Sequence, residues 1–364
     1  MKNEILIVAT EFPPGPGGIG SHAFSMARAL CTKGYRVTVV APADYVTKEE
    51  VVEFDSSQEF TIVRYDRLER FHYLKRFRVA ACHIKTNVIL SGQFALWIGL
   101  WLRLRYAKNK YIAILHGSEV RPSSLFDRIM THLSIASMTK VVAVSSFTKS
   151  LIPEWTIKNK EVAIIPNGIN PEEFGDEGGK TELIGNPILL TVGNVTPRKG
   201  QHRVIKALPE ILNRFPEAHY HIVGLPTYKD QFLQLAQSLG VEQAITFHGK
   251  IKRREDLYRF YRSSDVFMIL SENQKDGDCE GFGIVVLEAG YFGLPSIGAT
   301  GSGIVDAIDD GKSGYLVDGN DAKRICEALD KVMQNKDNLR KGAKAFANEH
   351  NWDIIINDII KLFK

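Results

Sequence analysis

Residues 271–294 read SENQKDGDCEGFGIVVLEAGYFGL. The run before them, DVFMIL over 265–270, and the run that closes them, LPSIG over 294–298, are short, apolar and bounded by turn residues. Such runs are read as buried strands. Between them an acidic, glycine-bearing loop turns into a helix, expected over 283–292. Strand, loop and helix N-terminus in that order form the repeating unit of an open α/β sheet, whose ligands sit beyond the carboxyl ends of the strands. The unpaired N–H groups of the helix's first turn, at Gly283, Ile284 and Val285, suit phosphate oxygens. Glu280 and Glu288 stand eight positions apart across the junction.

The same alternation runs outward in both directions. In the first half strands are expected over 5–9, 36–41, 60–64, 88–90, 111–115, 141–144 and 162–165, with a helix over 21–33. A break follows: PNGINP over 166–171 is turn chemistry, and 175–186 is polar and glycine-rich. The alternation then restarts, with strands over 188–192, 219–223, 245–247 and 266–270, interleaved with helices over 200–214, 228–239 and 254–262. The expected fold is α/β: two doubly wound parallel-sheet domains, 1–170 and 171–348, facing a cleft. The tail carries Ile354, Ile355, Ile359, Leu362 and Phe363 at helical spacing. It has no strand to pair with, so the helix at 349–364 is expected to pack back on the first domain.

A chain of 364 residues is too long for one core, which agrees with two domains. Cys31, Cys82, Cys279 and Cys326 are far apart and form no CxxC pair, so neither a disulfide framework nor a zinc site is indicated. A reducing cytoplasm fits. The opening MKNEILIVAT runs straight into a strand and is not a signal peptide. No stretch has the length of a membrane span without charges. The formal net charge of +4 is shared unevenly: residues 1–170 carry 22 Lys+Arg against 14 Asp+Glu, and residues 171–364 carry 24 against 28. A basic first half fits an acidic partner, or only a solvated imbalance; both readings stand at this point.

Other loops are weighed the same way. Gly15, Gly17 and Gly20 spell GxGxxG after the first strand. Pro13, Pro14 and Pro16 stiffen that turn, and the acid a nicotinamide site needs after the second strand is missing, because Val40-Ala41-Pro42 stands there and Asp44 lies beyond. What is left is close backbone approach at Gly17 and Gly18 beside a helix N-terminus. His116 follows the strand over 111–115 and faces the ligand end of the sheet, as a sugar contact or as a structural group. Residues 192–200, VGNVTPRKG, repeat the strand–turn–helix logic with Arg198 and Lys199 at the turn, two cations that suit a diphosphate. Asp276 and Asp278 are too few ligands for a hard cation and are read as loop acids. Glu280 and Glu288, across a loop and a helix, reach different parts of one long ligand better than they flank one glycosidic carbon.

Taken together these residues resemble the retaining glycosyltransferases of family 4, with the GT-B fold of two Rossmann-like domains. The likeness covers nearly the whole chain. It is carried by Gly17-Gly18, His116-Gly117, PNG over 166–168, PRKG over 197–200, HIVG over 221–224, FHG over 247–249 and the pair Glu280 and Glu288. FPP over 12–14, GGI over 17–19 and PRKGQ over 197–201 are similar in look to the bacterial phosphatidylinositol-mannoside mannosyltransferases.

The resemblance implies roles. Glu288 would bind the donor's ribose and Glu280 the transferred sugar. The amides of Phe282, Gly283, Ile284 and Val285 would hold the distal phosphate. Lys199 would neutralise the leaving diphosphate, with Arg198 beside it. His116 would contact the sugar, Gly18 would approach the phosphates, and Lys250-Ile251 would read the base. Asn194 departs from the pattern, because the family commonly has an arginine there; so does the segment over 301–306, GSGIVD.

The implied activity is retaining, metal-independent hexosyl transfer from a nucleoside-diphosphate sugar, GDP-mannose favoured and a UDP-sugar the other choice, in cell-envelope glycoconjugate synthesis. It uses no cofactor. The acceptor would be a glycan or a lipid phosphate, not nucleic acid. The basic residues Arg64, Arg67, Arg70, Lys75, Arg76, Arg78 and Lys85, with WIGLWLRLR over 97–105, would meet an anionic membrane surface at the inner face of the cell membrane, or be buried and solvated helices. A non-catalytic sugar-nucleotide-binding protein of the same fold is the alternative function.

Overall fold

The computed structural model describes residues 3–43, 46–65, 72–158, 160–175 and 179–364. The apolar runs build two parallel sheets, one in each of two compact units: Met1–Gly168 with Trp352–Lys364, and Ile169–Asn351. In the first unit the strands are β1 (Glu4–Ala9), β2 (Arg36–Pro42), β3 (Thr61–Tyr65), β4 (Asn87–Ser91), β5 (Lys110–Leu115), β6 (Lys140–Ala143) and β7 (Val162–Ile164), in the order β3-β2-β1-β4-β5-β6-β7. In the second they are β8 (Ile188–Val192), β9 (His219–Val223), β10 (Ile245–Gly249), β11 (Val266–Ile269), β12 (Ser296–Ala299) and β13 (Gly314–Val317), in the order β10-β9-β8-β11-β12-β13. Each sheet grows to one edge, returns to its first strand and grows the other way. This leaves a switch point between β1 and β4 in one unit, and between β8 and β11 in the other.

Parallel strands are covered on both faces, so their sequences run apolar without alternation. Ile5, Leu6, Ile7, Val8 and Ala9 of β1 are fully buried, as are Val266, Phe267, Met268 and Ile269 of β11. Each large side chain among them contributes about 1.5–3 kcal/mol relative to exposure. The covering helices show the 3.6-residue period: Gln201–Arg214 buries Val204, Ile205, Leu208 and Ile211 on one side.

The tail helix Trp352–Lys361 lies in the first unit, along the helix Gly18–Thr32. The rings of His22 and Trp352 are 5.0 Å apart, and Lys110 Nζ donates to the carbonyl of Phe363 at 2.6 Å. The helix before it, Lys336–Glu349, stays in the second unit against the helix Ile284–Tyr291. The Ile169 N–H donates to the His350 carbonyl at 2.8 Å, which holds both ends of the second unit together. The chain therefore changes unit at 168/169 and 351/352. The second sheet also extends beyond the alternation read from sequence, to β13 and a helix Ala322–Gln334.

The basic segment is not the open cationic face that its charges suggest. Arg64 is folded inward: its guanidinium donates to Asp55 at 2.7 Å, to the Pro42 carbonyl at 2.7 Å and to the Pro13 carbonyl at 2.5 Å. Arg76 is buried between the rings of Tyr65 and Phe94, each 5.1 Å away. Lys85 is 3.6 Å from Glu4. Lys75 and Arg78 are exposed; Arg67 and Arg70, with their neighbours Asp66 and Glu69, lie outside the described residues, as does Asp44. The helix Gln93–Arg105 buries Leu96, Ile98 and Leu102 and is a sheet-packing helix. Among the described residues no helix is long and apolar enough to cross a membrane.

Candidate active site

β8 and β11 are neighbours, so the loops that follow them meet. The turn after β8 ends at Gly200, which has φ +75°; a Cβ there would stand 1.9 Å from the Leu270 carbonyl oxygen. Only glycine lets this turn lie directly on the end of β11. The short helical turn Pro197–Lys199 is thereby held over the loop that carries Glu280.

Glu280 is 8% exposed, and its Oε2 accepts from Arg198 Nη1 at 2.5 Å and from Lys199 Nζ at 2.6 Å. Burial pushes this carboxyl up, but Lys199 and then Arg198 pull harder and hold it below the usual carboxylate range. Arg198 Nε is also 3.1 Å from Asp278 Oδ2. Asp278 is thus an anchor for Arg198, a role that reading it as a loop acid missed. Burial raises its carboxyl, with Arg198 opposing. Among the described residues no three His, Cys, Asp or Glu side chains cluster as a metal site would require.

The helix Ile284–Tyr291 starts just beyond, capped by Gly283; the Val286 N–H donates to the Gly283 carbonyl at 2.9 Å, and the amides of Gly283, Ile284 and Val285 are the ones with no acceptor in the helix. Phe282 is buried beneath. The Gly303 N–H donates to the Glu280 carbonyl at 2.8 Å, so the segment over 301–306 braces the Glu280 main chain. Glu288 lies one turn into the helix, and its Oε2 accepts from the Tyr261 hydroxyl at 2.9 Å. Burial raises the Glu288 carboxyl, opposed by Tyr261, Arg254 and Lys199. Arg254 in turn pairs with Glu173 at 2.6 Å. Tyr261, Arg254 and Glu173 were not singled out from sequence. The nearest signal was Tyr258 and Tyr261 three apart on one helix face.

Asn194 is exposed, and its carbonyl accepts from Gln201 Nε2 at 3.0 Å. Lys250 and Ile251 follow β10 at the same end of the sheet, two strands out from β8. So the second unit gathers Arg198, Lys199, Glu280, Glu288 and Phe282 to Val285 at its switch point, with Asn194 on the rim and Lys250-Ile251 toward the edge.

The first unit has its own cluster at the corresponding place. His116 follows β5, is 9% exposed, and places Nε2 2.9 Å from Ser91 Oγ at the end of β4. Burial pushes its imidazole down to about 4, so it is neutral at physiological pH. The His116 N–H donates to Glu119 Oε1 at 2.5 Å, and burial pushes the Glu119 carboxyl up to about 7. The His22 ring meets the His116 ring edge-on at 4.8 Å. His22 Nδ1, Glu119 Oε2 and Trp352 Nε1 are buried with no hydrogen-bond partner among the described residues. Gly17 and Gly18 begin the helix over the end of β1; Gly18 is exposed, with open space where a side chain would be.

Residues 16–173 match the family model described as Glycosyltransferase Family 4, and residues 179–350 match the one described as Glycosyl transferases group 1. A GDP-mannose-dependent alpha-(1-6)-phosphatidylinositol monomannoside mannosyltransferase of Mycolicibacterium smegmatis is 28% identical over 365 residues, 96% of this chain and 94% of that one. The GDP-mannose-dependent monoacylated alpha-(1-6)-phosphatidylinositol monomannoside mannosyltransferase of Corynebacterium glutamicum is 26% identical over 375 residues, 97% and 96%. Anabaena HepE, solved with UDP and glucose, superposes with a TM-score of 0.76 at 18% identity over 98% of both chains. Sucrose-phosphate synthase of Thermosynechococcus elongatus gives 0.77 at 18%, over 99% and 98%. At that identity the likeness is one of fold. With one family model on each unit and a doubly wound sheet beneath each, the chain belongs to glycosyltransferase family 4, the nucleotide-sugar-dependent enzymes of GT-B fold.

Proposed function

We propose that this glycosyltransferase moves mannose from GDP-mannose, in preference to a UDP-sugar, onto a lipid-linked or glycan acceptor at the cytoplasmic face of a membrane. Transfer retains anomeric configuration and needs no metal. The observation that carries this reading is the convergence of Arg198 and Lys199 on Glu280 beside a helix N-terminus. Two cations, an acid and unpaired amides at a switch point suit a diphosphate joined to a polyhydroxyl. The preference for GDP-mannose is drawn from the relatives in Mycolicibacterium and Corynebacterium.

In the reaction the bond between the sugar's anomeric carbon and the β-phosphate oxygen breaks, and its electron pair stays on the diphosphate. Lys199, Arg198 and the amides of Gly283, Ile284 and Val285 stabilise that charge. The acceptor oxygen bonds to the anomeric carbon on the face the phosphate leaves. Its proton passes to the departing phosphate oxygen, so no enzymic base is needed. Glu280 holds the sugar hydroxyls, Glu288 holds the ribose and Lys250-Ile251 line the base.

The test is turnover across GDP-mannose, UDP-glucose and UDP-galactose with a membrane-lipid extract as acceptor, in EDTA, and the product's anomeric configuration read by NMR. GDP-mannose turned over in EDTA to an α-linked product is expected. An inverted product, or full loss of activity in EDTA with rescue by magnesium, would refute the mechanism; no turnover of any donor would refute the function.

A further inference from the structure

The helix Leu125–Ser137 is inside out. It buries Thr131, His132 and Ser134 with a single large apolar side chain, Ile135, and leaves Leu125 68%, Phe126 65%, Ile129 49% and Leu133 46% exposed. Its inward polar groups are bonded where they stand. Trp97 Nε1 donates to Thr131 Oγ1 at 3.1 Å, His132 Nε2 is 3.0 Å from the Val120 carbonyl, and Ser134 Oγ donates to the Met130 carbonyl at 2.7 Å. Turning the helix to bury its leucines would break two of these bonds, so the orientation is set by its neighbours. At about 100° per residue the four exposed apolar positions fall within an arc of about 100°, as wide as a stripe that normally faces a core. Trp155, 55% exposed with its ring 5.7 Å from His132, widens it.

Charge says what covers the stripe. Residues 121–160, which carry the helix and Trp155, hold six Lys+Arg against two acids, Asp127 in the first turn of the helix and Glu154 beside Trp155. Arg121 and Arg128 are exposed at the start of the helix. We infer that this face docks on an anionic lipid bilayer, with Leu125, Phe126, Ile129, Leu133 and Trp155 in the headgroup–acyl boundary and Arg121 and Arg128 on the phosphates. A second copy of the chain fits worse, because a two-fold contact would set these cations against each other. The inference rests on the lipid-linked acceptor proposed above. Leu125 lies nine residues after His116, and the loop between them leaves the carboxyl end of β5.

Sedimentation of the full chain with phosphatidylcholine vesicles, with and without phosphatidylglycerol, tests it. Wild type should pellet with the anionic vesicles and stay soluble with the neutral ones, with a blue shift of Trp155 emission that Trp155→Phe removes. Ile129→Ser with Leu133→Ser should lower partitioning about tenfold or more, while the melting temperature holds. The exchange Ile129→Leu with Leu133→Ile should retain binding. Three results would overturn the inference: no sedimentation of wild type, equal sedimentation of the serine variant, or a wild-type dimer that the serine variant dissociates. The enzymatic reading fails separately, if a protein that binds vesicles turns over no donor with acceptor in detergent.

Discussion

On the proposed function, Glu280 holds the two cations that the donor's diphosphate would take. Its Oε2 takes both Arg198 and Lys199, at 2.5 and 2.6 Å. An arriving phosphate must take over those donors and meets the carboxylate's repulsion while doing so. Glu280→Gln keeps the shape and one acceptor oxygen, and removes the charge. Its effects should therefore have opposite signs on binding and on transfer. A hydrogen bond to a charged group contributes about 1.5–3 kcal/mol. The diphosphate exchanges such bonds rather than adding them, so only part is regained. We expect free GDP to bind the variant about 1–2 kcal/mol more tightly, or about 5–30-fold in Kd. Sugar transfer should fall about 100-fold, because the proposed function puts the freed carboxylate on the sugar hydroxyls.

Stability gives a third reading of the same change. Arg198 and Lys199 are 25% and 11% exposed; with a neutral amide at position 280 Arg198 keeps Asp278, but Lys199 loses its carboxylate. The unliganded variant should lose about 2 kcal/mol, less than the cost of breaking a fully buried pair. Saturating GDP should restore it, because the ligand supplies the missing negative charge. Calorimetric titration with GDP, thermal unfolding with and without GDP, and kcat with GDP-mannose measure the three effects. Weaker GDP binding in step with lost turnover would refute the reasoning: Glu280 would then support the diphosphate site and not compete for it.

Three further outcomes follow from the geometry. Glu119 has a folded carboxyl raised to about 7 from 4.5, so the stability it contributes is present below about 4.5 and lost as pH rises through 7; Glu119→Gln should gain up to about 3 kcal/mol on wild type at pH 8 relative to pH 4.5, and a parallel offset at both pH values would refute it. Burial holds His219 and His248 down at about 4, with His221 Nδ1 2.9 Å from His248 Nε2, so the second unit should lose stability as pH falls from 6.5 to 4. His219→Gln with His248→Gln should flatten that loss in urea unfolding at several pH values, and an unchanged slope would count against the assignment. Tyr261→Phe removes the donor to Glu288 and should weaken GDP binding about tenfold with kcat nearly unchanged; a fall in kcat at constant Kd would place Glu288 at the transferred sugar instead.

What could be read from sequence, and what could not, divides by range. β1 and β11 were legible because a parallel strand buried on both faces needs an unbroken apolar run, and ILIVA and VFMI are such runs. β13 was not: it opens on Gly314, whose missing Cβ lets it press on the Ser296 carbonyl, and GYLV carries little pattern. The positions of Glu280, Lys199 and His116 were legible because each follows a strand at its carboxyl end. Their partners were not, because they come from elsewhere in the chain. Arg198 reaches Asp278 and Glu280 across about eighty residues, and Tyr261 reaches Glu288 across 27. His22 and Trp352 meet beside His116 only because the tail helix returns to the first unit. Charge counting failed in the same way. Arg64 and Arg76 add to a basic stretch but are held inside by Asp55 and by aromatic faces that no local pattern shows. The helix Leu125–Ser137 is the converse case, since its apolar period is that of a core helix and only the bonds of Thr131 and His132 to their neighbours turn it outward. Local period thus specifies which element forms and which residues head its ligand end. Whether a charge is free to act on a ligand, or an apolar face is free to meet one, is decided by the partner that the strand order brings alongside.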